Sequence, residues 1–285
     1  MKQLADGVFI RSGPQNTNAG LIVTAEGAVL VDTLMLPKHN RAWAREVRQH
    51  TDEPVLYLIV TDHYFDHVLG APSFECPMIA HELAWKELRK YANEENFQLR
   101  LNTHLEMLGL HVNAGRDELH PGMPQLLVSD SLRLYRGDTE IHVLHLGGHT
   151  PATLAVHLPQ KRLLFSGDTV VCGQHPYMGR ADSKQWLQAL DHIRSLDVDI
   201  IVPGHGPVCG MEATVTMSRY LTEARARVRE FYLGGATRRE TVEKAGILDL
   251  LALPPDDLAR ERQKVRLGVE HLYAEIRKEE SKSRR

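Results

Sequence analysis

The run VLYLIV, residues 55–60, leads directly into TDHYFDHVLG, residues 61–70, where carboxylate, imidazole and phenol side chains follow one another almost without a gap. An unbroken apolar run of this length reads as a strand buried on both faces. The polar residues behind it therefore leave a core and enter a turn. Three further blocks repeat the arrangement. LGGHT, residues 146–150, sets His149 after a strand-like run; SGDT, residues 166–169, sets Asp168 at the end of KRLLF; and VPGHGPV, residues 202–208, sets His205 after DII. In each block a buried strand ends in small residues, and one ligand-type side chain projects from a turn held by a rigid scaffold. Any fold that brings these strand ends to one edge gathers the four blocks into a site.

The periods along the chain show how such an edge is built. LIVTAEGAVLVDT reads as two strands around a Glu-Gly turn, and PKHNRAWAREVRQH as a helix opened by Pro37 with Trp43 and Val47 on one face. Strands and turns alternate over residues 131–165. A helix then follows an Asp182 or Ser183 cap, with Trp186, Leu190, Ile193 and Leu196 at helical spacing, before the strand DIIV. Residues 81–110 read as a helical insertion in which Leu101, Leu105 and Leu108 share a face, suited to a lid, a dimer contact or packing on its own domain. Beyond residue 210, Met217, Leu221, Ala224, Val228 and Phe231 form one helical stripe, and Val265, Val269, Leu272 and Ile276 form another. Pro254 and Pro255 separate the two helices.

The block TDHYFDH resembles the Thr-His-x-His-x-Asp-His loop of the metallo-β-lactamase superfamily, and the Gly-His-Thr, Gly-Asp-Thr and Gly-His-Gly blocks follow in that family's order. The resemblance implies an α/β fold, the αββα metallo-β-lactamase sandwich, over residues 1–210 with the helical insertion at 81–110. Residues 211–285 would be a C-terminal helical extension packed on the same domain. It also implies a complete second metal position made by Asp66, His67 and His205, with Asp168 bridging. The first position keeps His149 and Asp168, but Asp62 and Tyr64 stand where the family has histidines. Asp62 can ligate, and Tyr64 could do so only as a phenolate. Replacing two imidazoles with oxygen donors hardens that position, so manganese or iron becomes plausible beside zinc, and one or two ions are expected in all. His63 would turn inward only through a local bulge.

Such a centre lowers the pKa of a bound water toward neutrality and yields hydroxide for attack on a carbonyl. The expected function is hydrolysis of a small-molecule ester, thioester or lactone, nearer the glyoxalase II and lactonase-like groups than the antibiotic-degrading enzymes, because Asp168 stands in the bridging place. Asp66 could also orient the water, Tyr177 or His175 could offer hydrogen bonds to substrate, and Tyr64 counts with Asp66 and Tyr177 among the candidate catalytic residues. The alternatives are a metal-binding or interaction protein that has lost turnover, and an iron-dependent oxidoreductase. A net charge of −3 and a pI near 6.6 give no general attraction to nucleic acid or anionic membrane. With no apolar leader or membrane-length run, the expectation is a soluble cytoplasmic protein acting on a small molecule, with a homodimer open. Its three cysteines are widely spaced and suggest neither a disulfide framework nor a thiolate zinc site.

Overall fold

The computed structural model describes residues 1–13, 17–91, 94–107, 119–252 and 258–283, without the side chains of residues 94 and 107. Leu108, Pro254 and Pro255 lie outside the described residues. The first sheet runs β1 (Lys2–Ala5), β2 (Val8–Ser12), β3 (Asn18–Thr24), β4 (Gly27–Val31), β5 (Val55–Ile59), β6 (Met78–His81) and β7 (Leu126–Val128) in spatial order. It is antiparallel as far as β4 and parallel beyond it. The second sheet is ordered β12 (Ile200–Val202), β11 (Leu163–Phe165), β10 (Leu154–Leu158), β9 (Thr139–His145) and β8 (Ser131–Arg136), antiparallel except for the β11–β12 pair.

Strand alternation decides which face meets which layer. Ile22, Val29, Val31 and Ile59 of the first sheet bury against Val143, Val156, Leu158 and Phe165 of the second. Leu21, Leu30 and Leu58 point the other way, onto Trp43 and Val47 of α1 (Pro37–His50). On the far side, Ala155, Leu164 and Ile201 pack beneath Trp186 and Leu190 of α5 (Ser183–Ser195), Leu221 of α6 (Glu212–Leu233) and Val269 of α8 (Leu258–Ser283). Two sheets face to face with helices outside make the expected αββα sandwich, and the C-terminal helices cover its second sheet. A short α7 (Arg238–Lys244), started by a Thr237–Glu240 capping box, joins them. No helix among the described residues is long and apolar enough to cross a membrane.

One open alternative is decided and one reading is corrected. The cap of α5 is Asp182, whose carboxylate accepts from the Lys184 and Gln185 amides, while Ser183 opens the helix. The segment from residue 81 is not one long helix. His81 closes β6, then come α3 (Glu82–Leu88), a 3-10 turn (Arg89–Tyr91) and α4 (Glu94–Met107). Phe97, Leu101 and Leu105 of α4 bury against Met35, Phe65 and Leu69. That packing sets α4 directly over the polar loop that follows β5, whose Phe65–Val68 turn forms α2.

Close packing between the sheets gives a test of the layered core. A Cβ on Gly20 of β3 would stand 2.4 Å from the Phe165 ring. Gly20→Ala must therefore displace Phe165 and should lower stability by about 1–3 kcal/mol in denaturant unfolding. An unchanged midpoint would mean that the sheets are not in contact at this point.

Candidate metal centre

The four sequence blocks meet at one edge of the sandwich. Asp66 and His67 lie on α2, one turn beyond β5; His149 lies in the β9–β10 connection; Asp168 follows β11 and His205 follows β12. One ligand atom each from Asp66, His67 and His205 lies within 4.8 Å of the others. His205 Nε2 is 3.0 Å from Asp66 Oδ2 and 3.6 Å from Asp168 Oδ1. His67 Nε2 is also 3.6 Å from Asp168 Oδ1, and His149 Nε2 is 3.4 Å from Asp168 Oδ2. Asp168 thus stands between His149 on one side and His67 and His205 on the other.

Asp66 and His205 pair with each other, but other atoms at the centre lack hydrogen bonds. His67 Nε2, both ring nitrogens of His149 and Asp168 Oδ1 are buried with no hydrogen-bond partner among the described residues. Burying such groups unpaired costs free energy, and a cation that accepts one lone pair from each of His67, His149 and Asp168 removes most of that cost. The electrostatics agree. Burial alone would lower the His67 and His205 pKa values, yet Asp32, Asp66 and Asp168 hold His67 well above its ordinary value, and Asp168 and Asp66 raise His205. Burial opposes ionisation of Asp66, but His67 and His205 hold its carboxyl far below the usual range. The carboxylates concentrate negative potential where the imidazole nitrogens meet. A donor set of imidazole and carboxylate fits a divalent ion of the zinc type.

The scaffold aims these side chains through contacts that the motif itself does not contain. Asp32, at the end of β4, accepts from the Thr61 amide at 2.7 Å and the Thr61 hydroxyl at 2.6 Å, and its Oδ2 lies 3.0 Å from His67 Nδ1. It adopts φ +57°, a left-handed conformation that a non-glycine residue holds only when its surroundings compel it. By engaging Nδ1 it leaves His67 Nε2 for the centre. Asn18 ties down the His205 turn by donating to the Pro203 and Gly206 carbonyls. Gly204 is required there, because a Cβ would fall 1.9 Å from Asp168 Oδ1.

At the altered positions, Asp62, an expected ligand, already has protein donors on its carboxylate. Asp62 is fully buried, and both its oxygens are engaged. Oδ2 accepts from the Thr150 and Thr153 hydroxyls at 2.7 and 2.8 Å, and Oδ1 accepts from the His63 amide at 2.7 Å. It fastens its own loop to the one carrying His149. His63 does not turn inward, since its ring contacts Asp62 at 3.1 Å and Arg180 at 3.2 Å, and Arg180 pairs with Glu87 of α3. The Tyr64 ring stands edge-on to His149 and Tyr177, with centroids 5.6 and 5.7 Å away. Its hydroxyl is buried without a partner among the described residues, and burial, then Tyr177 and Asp62, push its pKa well above the ordinary value, so it stays a phenol.

A cavity opens over the centre, lined by Tyr64, Asp66, Asp168 and His205 together with Tyr177, His104 of α4 and Lys264 of α8. His175 also lines it, but its Nδ1 is engaged with the Tyr220 hydroxyl at 2.9 Å. Sequence reasoning missed Asp32, His104 and Lys264. For His104 a signal existed: it lies three residues after Leu101, on the buried face of its helix, and its Nε2 is buried without a partner among the described residues.

Comparisons with known proteins agree with this geometry. A sequence profile described as the metallo-beta-lactamase superfamily matches residues 12–205. The chain is 25% identical over 248 residues to the human acyl-coenzyme A thioesterase MBLAC2, covering 78% of this chain and 87% of that protein. It is also 25% identical over 272 residues to a linear primary-alkylsulfatase of Pseudomonas sp. (strain ATCC 19151), covering 82% of this chain but spanning only 50% of that protein. The crystal structure of the metallo-beta-lactamase family protein TTHA1429 from Thermus thermophilus superposes with a TM-score of 0.71 at 17% identity, over 98% of this chain and 95% of that one.

The geometry separates two aspartates by role. Asp32→Asn should weaken metal binding about 10- to 100-fold through loss of the His67 contact. Asp62→Asn should lower the melting temperature yet leave the metal content of the folded protein unchanged. Elemental analysis beside thermal unfolding reads both, and loss of a full metal equivalent in Asp62→Asn would make Asp62 a ligand.

Proposed function

The chain belongs to the metallo-beta-lactamase superfamily, and we propose that within it this protein is a metal-dependent hydrolase of small-molecule esters, thioesters or lactones. The observation that carries this reading is the convergence of Asp66, His67, Asp168 and His205 from separate strand ends, with the unpartnered His67 Nε2 and Asp168 Oδ1 turned toward one another beneath a cavity. Zinc is the ion the donor set fits best. The similarity to an acyl-coenzyme A thioesterase over most of its length favours thioesters or oxygen esters over other bonds.

When bound, the ion acidifies a water and polarises a carbonyl oxygen. The protein's own groups supply the rest. Asp66 and Asp168 orient the donor set and accept hydrogen bonds from an attacking water. The Tyr64 phenol, kept protonated by burial, donates to an oxygen that gains negative charge as the carbonyl is attacked. His104, held largely neutral by burial although Asp66 opposes this, has a free Nε2 lone pair or proton for transfer on the cavity wall. Packing of α4 over Phe65 shields the site from bulk water.

Purified protein assayed against ester, thioester, lactone, β-lactam and phosphodiester substrates with zinc, manganese or iron tests the reading. Metal-dependent turnover is expected on esters or thioesters. His205→Ala should abolish it, and His149→Ala, which removes a group from the altered side, should reduce it less. Turnover of none of these substrates with any metal would overturn the hydrolase assignment, and equal losses in the two variants would make His149 an equal partner in the chemistry.

A further inference from the structure

Two of the three cysteines, far apart in sequence, are neighbours in the fold. Cys172 lies four residues beyond Asp168, and Cys209 lies four residues beyond His205. Backbone contacts draw the two segments together. Val171 pairs with His205 in a parallel bridge, and the Cys172 amide donates to the His205 carbonyl at 2.9 Å. Cys209 exchanges hydrogen bonds with Ile201 of β12 at 2.8 and 3.0 Å. Gly206 leaves no slack between the segments, because a Cβ there would stand 2.1 Å from the Cys172 carbonyl oxygen and 2.9 Å from the Cys172 Cβ. The Cys172 and Cys209 side chains are hydrogen-bonded to each other. Sulfurs in such contact need only a short movement to reach the covalent distance of about 2.03–2.05 Å.

Both thiols are free and partly exposed. Gly173, the neighbour of Cys172, is exposed, and beyond its own chain neighbours nothing lies within 4 Å of where its Cβ would stand, so a small solute can approach from that side. Cys76 packs with the α1 layer on the first sheet and has no such partner. A pair of adjacent thiols has a distinct oxidative chemistry. The sulfenic acid formed on one sulfur condenses with the other thiol before it can be oxidised further.

We infer that Cys172 and Cys209 are a redox modification site, which a hydroperoxide converts to a reversible disulfide that staples the His205 turn to the segment following Asp168. The sulfur of Cys172 attacks one oxygen of hydrogen peroxide and the O–O bond breaks. Cys172 sulfenic acid forms, and the thiol proton leaves with the other oxygen as water. The sulfur of Cys209 then attacks the sulfenic sulfur, the S–S bond forms, and the hydroxyl departs with the Cys209 proton as a second water. Two thiols together give up two electrons, and one peroxide is reduced. No atom of the metal centre takes part, and the inference stands apart from the hydrolase reading.

The test treats reduced, zinc-loaded protein with hydrogen peroxide, counts free thiols by alkylation and maps the peptides. The count should fall from three to one. The map should contain a Cys172–Cys209 cross-linked peptide with Cys76 still alkylated, and dithiothreitol should restore all three thiols. The thermal midpoint should rise by about 5–10 °C on oxidation. Cys172→Ala and Cys209→Ala should lose that rise, and Cys76→Ala should keep it. Each variant is compared with its own untreated sample, so the cost of the substitution itself cancels. Should an alanine variant not fold, the peptide map of the parent protein decides alone. Three thiols retained, Cys172 or Cys209 carried on to sulfinic or sulfonic acid, a disulfide that engages Cys76, or a Cys172–Cys209 cross-link that fails to raise the midpoint would each overturn the proposal.

Discussion

The buried carboxylate of Asp32 is the contact on which the centre depends. It stands at the end of β4, spans to the end of β5 through the Thr61 amide and hydroxyl, and reaches His67 on the next turn. Three pieces of backbone are thereby fixed by one side chain, and the left-handed backbone at Asp32 records the strain of doing so. The Thr33 hydroxyl reinforces the arrangement by donating to the His67 carbonyl and accepting from the Gly70 amide. Without that junction the α2 turn would have only its apolar packing to orient it, and packing does not select which imidazole nitrogen faces a metal.

The changes in the metal loop look like a loss only when the loop is considered by itself. Asp62 in place of an imidazole becomes the buried acceptor that joins the β5 loop to the His149 loop through Thr150 and Thr153. Tyr64 in place of the other imidazole brings a neutral phenol to the side of His149. The centre therefore becomes asymmetric, with charge-bearing ligands around Asp66, His67 and His205 and a hydrogen-bonding face around Tyr64 and Tyr177. Covering elements from outside the sheets close the site: α4 contributes His104, and α8 contributes Lys264.

Much of the framework was legible in the sequence because its signals are local. Apolar runs ending in Gly-His-Thr, Gly-Asp-Thr and Gly-His-Gly announce strands and the turns beyond them, and the stripes of α6 and α8 announce their buried faces. Strands β6 and β7 were not read, because unlike the comparably short β11 and β12 they lead into no motif block. Asp32 stood in plain view at the end of a strand, but nothing in VLVDT tells that its carboxylate will meet a histidine 35 residues later. The partners of Asp62 were hidden for the same reason: nothing in TDHYFDH tells that the hydroxyls of Thr150 and Thr153 will donate to its carboxylate. Lys264 belongs to no motif, and only the tertiary fold turns it toward the cavity.

We propose that one ion is held by Asp66, His67, Asp168 and His205 while Asp62 serves the scaffold. Anomalous diffraction from a crystal of the protein soaked in zinc tests it most directly. A peak is expected about 2.0–2.2 Å from His67 Nε2 and His205 Nε2 and from carboxylate oxygens of Asp66 and Asp168, with Asp62 still accepting from Thr150 and Thr153. A peak bonded to Asp62, or one at a place that leaves His67 and Asp168 uncoordinated, would contradict it.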